Sequence, residues 1–195
     1  MFEISKEFSF DYGHRVHTQK LIQSHSIDTQ CACRHLHGHR GTIKVILIGE
    51  ELEKETQMLT DFKHLNWLGK FIDENLDHKM ILDLSDPLIE SGMFPEIMRV
   101  NRLLKPNQLE LSWSTLKEVE RSGSFKIEEE VYSSFAGEYK ELYEGLVFVE
   151  FCPTSENLAK WIYGMVKDKM SQFLNIASLK IQFSETPKST AVYYE

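Results

Sequence analysis

An α+β fold with antiparallel strand pairing is what this sequence predicts, and three patterns predict it. Near the start, Phe2, Ile4, Phe8, Phe10 and Tyr12 alternate with Glu3, Ser5, Glu7, Ser9 and Asp11. Near the end, Leu179, Ile181 and Phe183 alternate with Lys180, Gln182 and Ser184. Successive side chains of a strand point to opposite faces, so each run describes a strand buried on one side. The third pattern is a pair of segments whose apolar residues recur at near-helical spacing, each a helix with one buried face. The order strand, strand, helix, excursion, strand, helix, strand belongs to the α+β class.

Each element has its own signal. The second strand is the apolar run 42–48, and His37 and His39 share parity with Ile43, Val45 and Leu47 provided no bulge intervenes at Gly41. Thr60-Asp61 caps a helix with Leu65, Leu68, Ile72 and Leu76 on one face, ending near Asn75-Leu76-Asp77-His78. Met80-Ile81-Leu82 reads as a short apolar strand or loop, and Ser85-Asp86-Pro87 as a turn or helix start. From about 92 to 145 the pattern degrades. Pro95, Pro106, Ser122-Gly123-Ser124 and the solvated run Glu128-Glu129-Glu130 mark an excursion carrying small elements of its own. Order returns with a strand at 147–151. Thr154 or Ser155 then caps a helix whose stripe Leu158, Trp161, Ile162, Met165 and Val166 is core. Glu185 ends the last strand on its apolar side, where a carboxylate needs hydrogen-bond donors.

A chain of 195 residues with 42% hydrophobic content suits one well-buried core, so a single domain with an insertion at about 92–145 is expected. The net charge of -8 argues against a binder of nucleic-acid backbones, which concentrates Lys and Arg. No charged start leads into an apolar core, and no apolar run is long enough to span a bilayer, so a soluble, cytoplasmic protein without membrane contact is expected. Three cysteines make a poor disulfide framework and point the same way.

The chemistry is concentrated in Cys31-Ala32-Cys33-Arg34-His35-Leu36-His37-Gly38-His39. His37 and His39 project from one strand face and can reach one ion, and His14 continues the apolar parity of the first strand. Three imidazoles around one point leave a fourth position open, as in a catalytic zinc rather than a structural one. A nearby thiol adds a base or nucleophile.

These residues resemble the 6-pyruvoyltetrahydropterin synthase and 6-carboxytetrahydropterin synthase family. The matching pieces are Phe10-Asp11-Tyr12-Gly13-His14-Arg15, Cys33 before His37-Gly38-His39, Asp61-Phe62, Leu76-Asp77-His78, Pro153-Thr154-Ser155-Glu156-Asn157 and Glu185-Thr186. The resemblance implies a tunnelling fold: a four-stranded antiparallel sheet with two helices on one face, closed into an oligomeric barrel as a homohexamer, a dimer of trimers. The 92–145 segment departs from it, being far longer than the compact family's connection.

Carried onto this chain, the resemblance implies Zn2+ on His14, His37 and His39. It makes Cys33 the catalytic thiol and Asp77 with His78 a proton relay. Glu185 would anchor a pterin, and Thr154, Ser155 and Glu156 would line its pocket. The implied substrate is 7,8-dihydroneopterin triphosphate, with Arg15, Lys79 or a neighbouring subunit's basic residues as candidates for its phosphates. Cys33 stands four residues before His37 and Cys31 six. The first spacing resembles the carboxy-forming lyase of 7-deazaguanine (queuosine-type) synthesis, which releases acetaldehyde and triphosphate. The second resembles the pyruvoyl-forming enzyme. A non-catalytic zinc module of Cys31, Cys33, His37 and His39, or a pterin binder without the reaction, are readings of another class.

Overall fold

The opening alternation becomes a long strand in which Phe10, Tyr12 and His14 are buried while Ser9 and Asp11 face solvent. The computed structural model describes residues 1–26, 31–90, 93, 116–133 and 137–195. Among these the chain forms β1 (Phe2–His14), β2 (His37–Gly49), α1 (Asn66–Asn75), β3 (Lys79–Asp83), α2 (Pro87–Glu90), β4 (Leu116–Glu118), β5 (Ser124–Ile127), α3 (Glu129–Tyr132), α4 (Gly137–Glu144), β6 (Leu146–Val149), α5 (Ser155–Met170), β7 (Ser178–Thr186) and β8 (Ser189–Tyr194). They divide into two compact units. The first holds Met1–Tyr12, Gly38–Asp77 and Thr154–Glu195, the second Gly13–His37 and His78–Pro153.

In the first unit the strand order is β1-β2-β7-β8. β2 and β7 pair antiparallel with Ile43 opposite Phe183, Val45 opposite Ile181 and Leu47 opposite Leu179. All six are buried, so the two alternations meet on one face, as their shared parity requires. The parity of β2 runs unbroken through Gly41. A Cβ there would lie 2.8 Å from Cε1 of Tyr12, so glycine admits the ring without a bulge. Asp61 caps a 3-10 turn at Phe62–Leu65 by accepting from Lys63 N–H, and α1 follows, burying Leu68, Phe71 and Ile72. α5 starts at Thr154, whose hydroxyl oxygen accepts from Asn157 N–H, and it packs on β7 and β8. Its buried face is Leu158, Ala159, Ile162, Tyr163, Val166 and Met170. Trp161 and Met165, expected in that stripe, are only half-buried, and Trp161 meets Phe71 edge-on at 6.2 Å.

In the second unit the order is β4-β5-β6-β3. β3 and β6 are parallel, with Ile81 opposite Val147 and Leu82 opposite Phe148. This corrects the expectation of antiparallel pairing alone. Met80, Ile81 and Leu82 of β3 and all four residues of β6 put apolar side chains on both faces, the mark of strands covered on both sides. Part of the excursion supplies the cover: Leu116, Ile127, Tyr132 and Tyr143 join Leu82, Leu146 and Phe148 in one buried cluster. Pro95 and Pro106 lie outside the described residues. Where four strands are expected, eight occur among the described residues. β8 is an addition to the predicted set, and β3, β4 and β5 join the expected β6 in the second unit. No helix among the described residues is long and apolar enough to cross a membrane.

Candidate active site and metal centre

Two histidines of the second unit face each other. His14 closes β1 with 1% exposure, and its Nδ1 donates to the Pro153 carbonyl at 2.7 Å. His37 opens β2, and its Nδ1 donates to the His35 carbonyl at 2.8 Å. A carbonyl only accepts, so each ring carries a proton on Nδ1 and turns its Nε2 toward the other ring. The two Nε2 atoms are 3.1 Å apart. Facing lone pairs repel at that distance unless a cation or a proton lies between them, and a carbonyl behind each ligating ring is the usual support of a metal-bound imidazole. Strand alternation puts His39 on the His37 face of β2. Neutral imidazole donors fit zinc and its neighbours rather than magnesium or calcium.

The thiols sit in the loop that feeds β2. A 3-10 turn at Ala32–Arg34 is fastened to the segment after β1: Val16 N–H donates to the Cys33 carbonyl at 2.9 Å, Arg15 Nε to the Arg34 carbonyl at 2.6 Å, and Arg34 Nη1 to the Gln19 carbonyl at 2.8 Å. Cys31 and Cys33 are half-buried thiols outside any disulfide, with sulfurs 3.2 Å apart. The Cys33 backbone N–H, then the Cys33 thiol and the Gln19 side chain, hold the Cys31 thiol below its ordinary range by donating to its charged form.

The other expected site residues lie as follows. Asp77 accepts from Asp11 N–H at 2.9 Å. His78 follows it at φ 57, in the left-handed region. Glu185 lies in β7 where the register with β8 shifts between Ser184 and Thr186, and its charge, after burial, helps to raise the Tyr12 phenol above its ordinary range. Thr154 and Ser155 are half-buried and Glu156 is exposed. Two candidates for phosphate binding have partners within the second unit. Arg15 Nη1 meets the Asp86 carboxylate at 2.6 Å, with Asp86 only 1% exposed, so that guanidinium is engaged with a buried anion. Lys79 Nζ donates to the Glu144 carbonyl at 2.9 Å. The Pro153 carbonyl behind His14 has no sequence signal of its own, being a backbone group from 139 positions away.

Along nearly its whole length the chain is similar to known proteins. Residues 3–195 match the model of the family described as 6-pyruvoyl tetrahydropterin synthase. A 6-carboxy-5,6,7,8-tetrahydropterin synthase of Aquifex aeolicus is 29% identical over 201 residues, covering 99% of this chain and 98% of that protein. A solved structure of an uncharacterised Wolinella succinogenes protein is 38% identical with a TM-score of 0.82, covering 100% of this chain and 98% of that one. The Plasmodium vivax 6-pyruvoyl tetrahydropterin synthase, 17% identical with a TM-score of 0.54 over 100% of this chain and 97% of that one, shares the fold. With its family model matched along almost its whole length, this chain belongs to the 6-pyruvoyl tetrahydropterin synthase family.

Proposed function

We propose that the protein is a zinc-dependent lyase that converts 7,8-dihydroneopterin triphosphate to 6-carboxytetrahydropterin, releasing acetaldehyde and triphosphate for 7-deazaguanine synthesis. The observation that carries an enzyme reading is the pair of tautomer-locked imidazoles, His14 and His37, with Nε2 atoms 3.1 Å apart. The choice of product follows the Aquifex aeolicus relative, similar over nearly its full length and named for that product. His14, His37 and His39 would hold the ion, which when bound polarises the substrate's side-chain oxygens as a Lewis acid. Cys33 takes the proton from the carbon that becomes nucleophilic. His78, positioned by Asp77, moves protons on the opposite face. Glu185 accepts paired N–H bonds from the amino-pyrimidine edge of the pterin, beside Thr154, Ser155 and Glu156. β8 ends the strand order of the first unit, with Val192 50% and Tyr194 64% exposed, which supports pairing with further copies and hence a homohexamer.

A second reading has one observation in its favour. The thiol shifted toward its anion is Cys31, whose spacing to His37 is that of the pyruvoyl-forming branch. Anaerobic incubation of the zinc-loaded protein with the substrate, without nicotinamide, separates the two by mass spectrometry. Acetaldehyde and 6-carboxytetrahydropterin are expected. Triphosphate release with every side-chain carbon retained would establish the pyruvoyl reading, and no triphosphate release would remove both. Glu185→Gln is expected to weaken pterin binding by about 1.5–3 kcal/mol, the cost of losing charge-assisted hydrogen bonds. Unchanged affinity by calorimetry would take Glu185 out of the recognition step.

A further inference from the structure

A second group in the molecule has metal-ligating chemistry that the proposed reaction does not use. His17 comes from the segment after β1, Asp83 from the last position of β3 and Cys152 from the segment after β6, all within the second unit. One ligand atom from each lies within 4.8 Å of the others. His17 Nε2 is 2.9 Å from Asp83 Oδ2, with the two side chains only 11% and 4% exposed. Asp83 is held from behind, because its Oδ1 accepts from both the N–H and the hydroxyl of Ser85 at 2.8 Å, leaving Oδ2 to face His17. The Thr18 hydroxyl donates to Cys152 Sγ at 3.3 Å, a contact that strengthens when the sulfur is a thiolate.

We propose that His17, Asp83 and Cys152 form a second metal site, for a zinc-class divalent cation. Ligand atoms around a tetrahedral zinc stand about 3.3–3.8 Å apart, a spacing this group reaches with small side-chain adjustments. One thiolate, one imidazole and one carboxylate select zinc, cobalt or a similar ion and disfavour magnesium and calcium, which take oxygen ligands. Three protein ligands leave the fourth position to water. The site would fix Cys152 and with it the neighbouring Pro153, whose carbonyl holds Nδ1 of His14. Its existence does not depend on what the His14 and His37 pair binds.

Cobalt substitution of the full-length protein tests this, because thiolate ligation gives a near-ultraviolet charge-transfer band that imidazole and carboxylate do not. Metal-free protein loaded anaerobically with Co2+ is expected to bind two equivalents per chain and show the band. In the Cys31→Ser/Cys33→Ser protein the band should persist. Cys152→Ser should abolish it and lose one equivalent, whereas His37→Ala should lose the other equivalent and keep the band. A Cys31→Ser/Cys33→Ser protein without the band, or a band indifferent to Cys152→Ser, would overturn the site. A single equivalent lost with Cys152 but not with His37 would uphold this site and count against the zinc of the proposed reaction.

Discussion

Cys33→Ala is expected to lower kcat by about 10²–10⁴-fold, the usual worth of a positioned proton-transfer group, while pterin and metal stay bound and Cys31→Ala still turns over. The two sulfurs are 3.2 Å apart, so the first ionisation belongs to the pair: one negative charge and one proton shared between Cys31 and Cys33. Hydrogen bonds from Cys33 and Gln19 to Cys31 favour that charge, so the pair ionises below the ordinary thiol range. A base must be deprotonated to act. The rate should therefore rise with pH through a limb below about 8.5, the value of a free thiol, and fall away on the acid side. If Cys31→Ala is dead and Cys33→Ala active, the base is Cys31 and the pyruvoyl-forming reading gains.

Alternation made β1, β2 and β7 legible because each has one wet face, and the register of Ile43, Val45 and Leu47 against Phe183, Ile181 and Leu179 follows from that parity. β8 was not legible. Its Thr190, Val192 and Tyr194 are exposed and only Ala191 and Tyr193 are half-buried, so Ser189-Thr190-Ala191-Val192-Tyr193-Tyr194 shows no clean apolar face. The partner of a strand is a non-local fact. The apolar runs at β3 and β6 announced burial, but not that they pair in parallel.

The histidines were legible for the same reason as the strands: His14, Phe10 and Tyr12 share one parity, and His37 and His39 another. What fixes their tautomers was not, since the acceptors are the backbone carbonyls of Pro153 and His35 and any residue type supplies a carbonyl. Arg15 shows the converse. A cation beside a metal ligand suggests phosphate binding, yet the buried Asp86, 71 positions away, engages it. Thr154 likewise has a structural duty, as the cap of α5, that its place in a recognised motif did not separate from pocket lining.

His78→Gly and His78→Ala are expected to lose about 10²–10⁴-fold in kcat, yet to differ in stability by about 1 kcal/mol in favour of glycine. At the end of α1 the Ile72 carbonyl takes both the Leu76 and the Asp77 N–H groups at 2.8 Å, and the chain then passes to β3 through His78 at φ 57. A side chain with a Cβ pays about 1–2 kcal/mol in the left-handed region, and glycine avoids that cost, so stability alone would place glycine here. A histidine held at such a turn directs attention to its imidazole, as strained residues often do at functional sites. Alanine loses the imidazole and keeps the strain. Glycine loses both, so comparing the two variants isolates the backbone contribution from the side chain's. Denaturant unfolding should rank glycine above alanine while both show depressed kcat with little change in KM, the pattern of a group that acts in the chemical step. A glycine variant turning over at the wild-type rate would show that His78 serves only the turn, and the proton transfer assigned to it would need another donor.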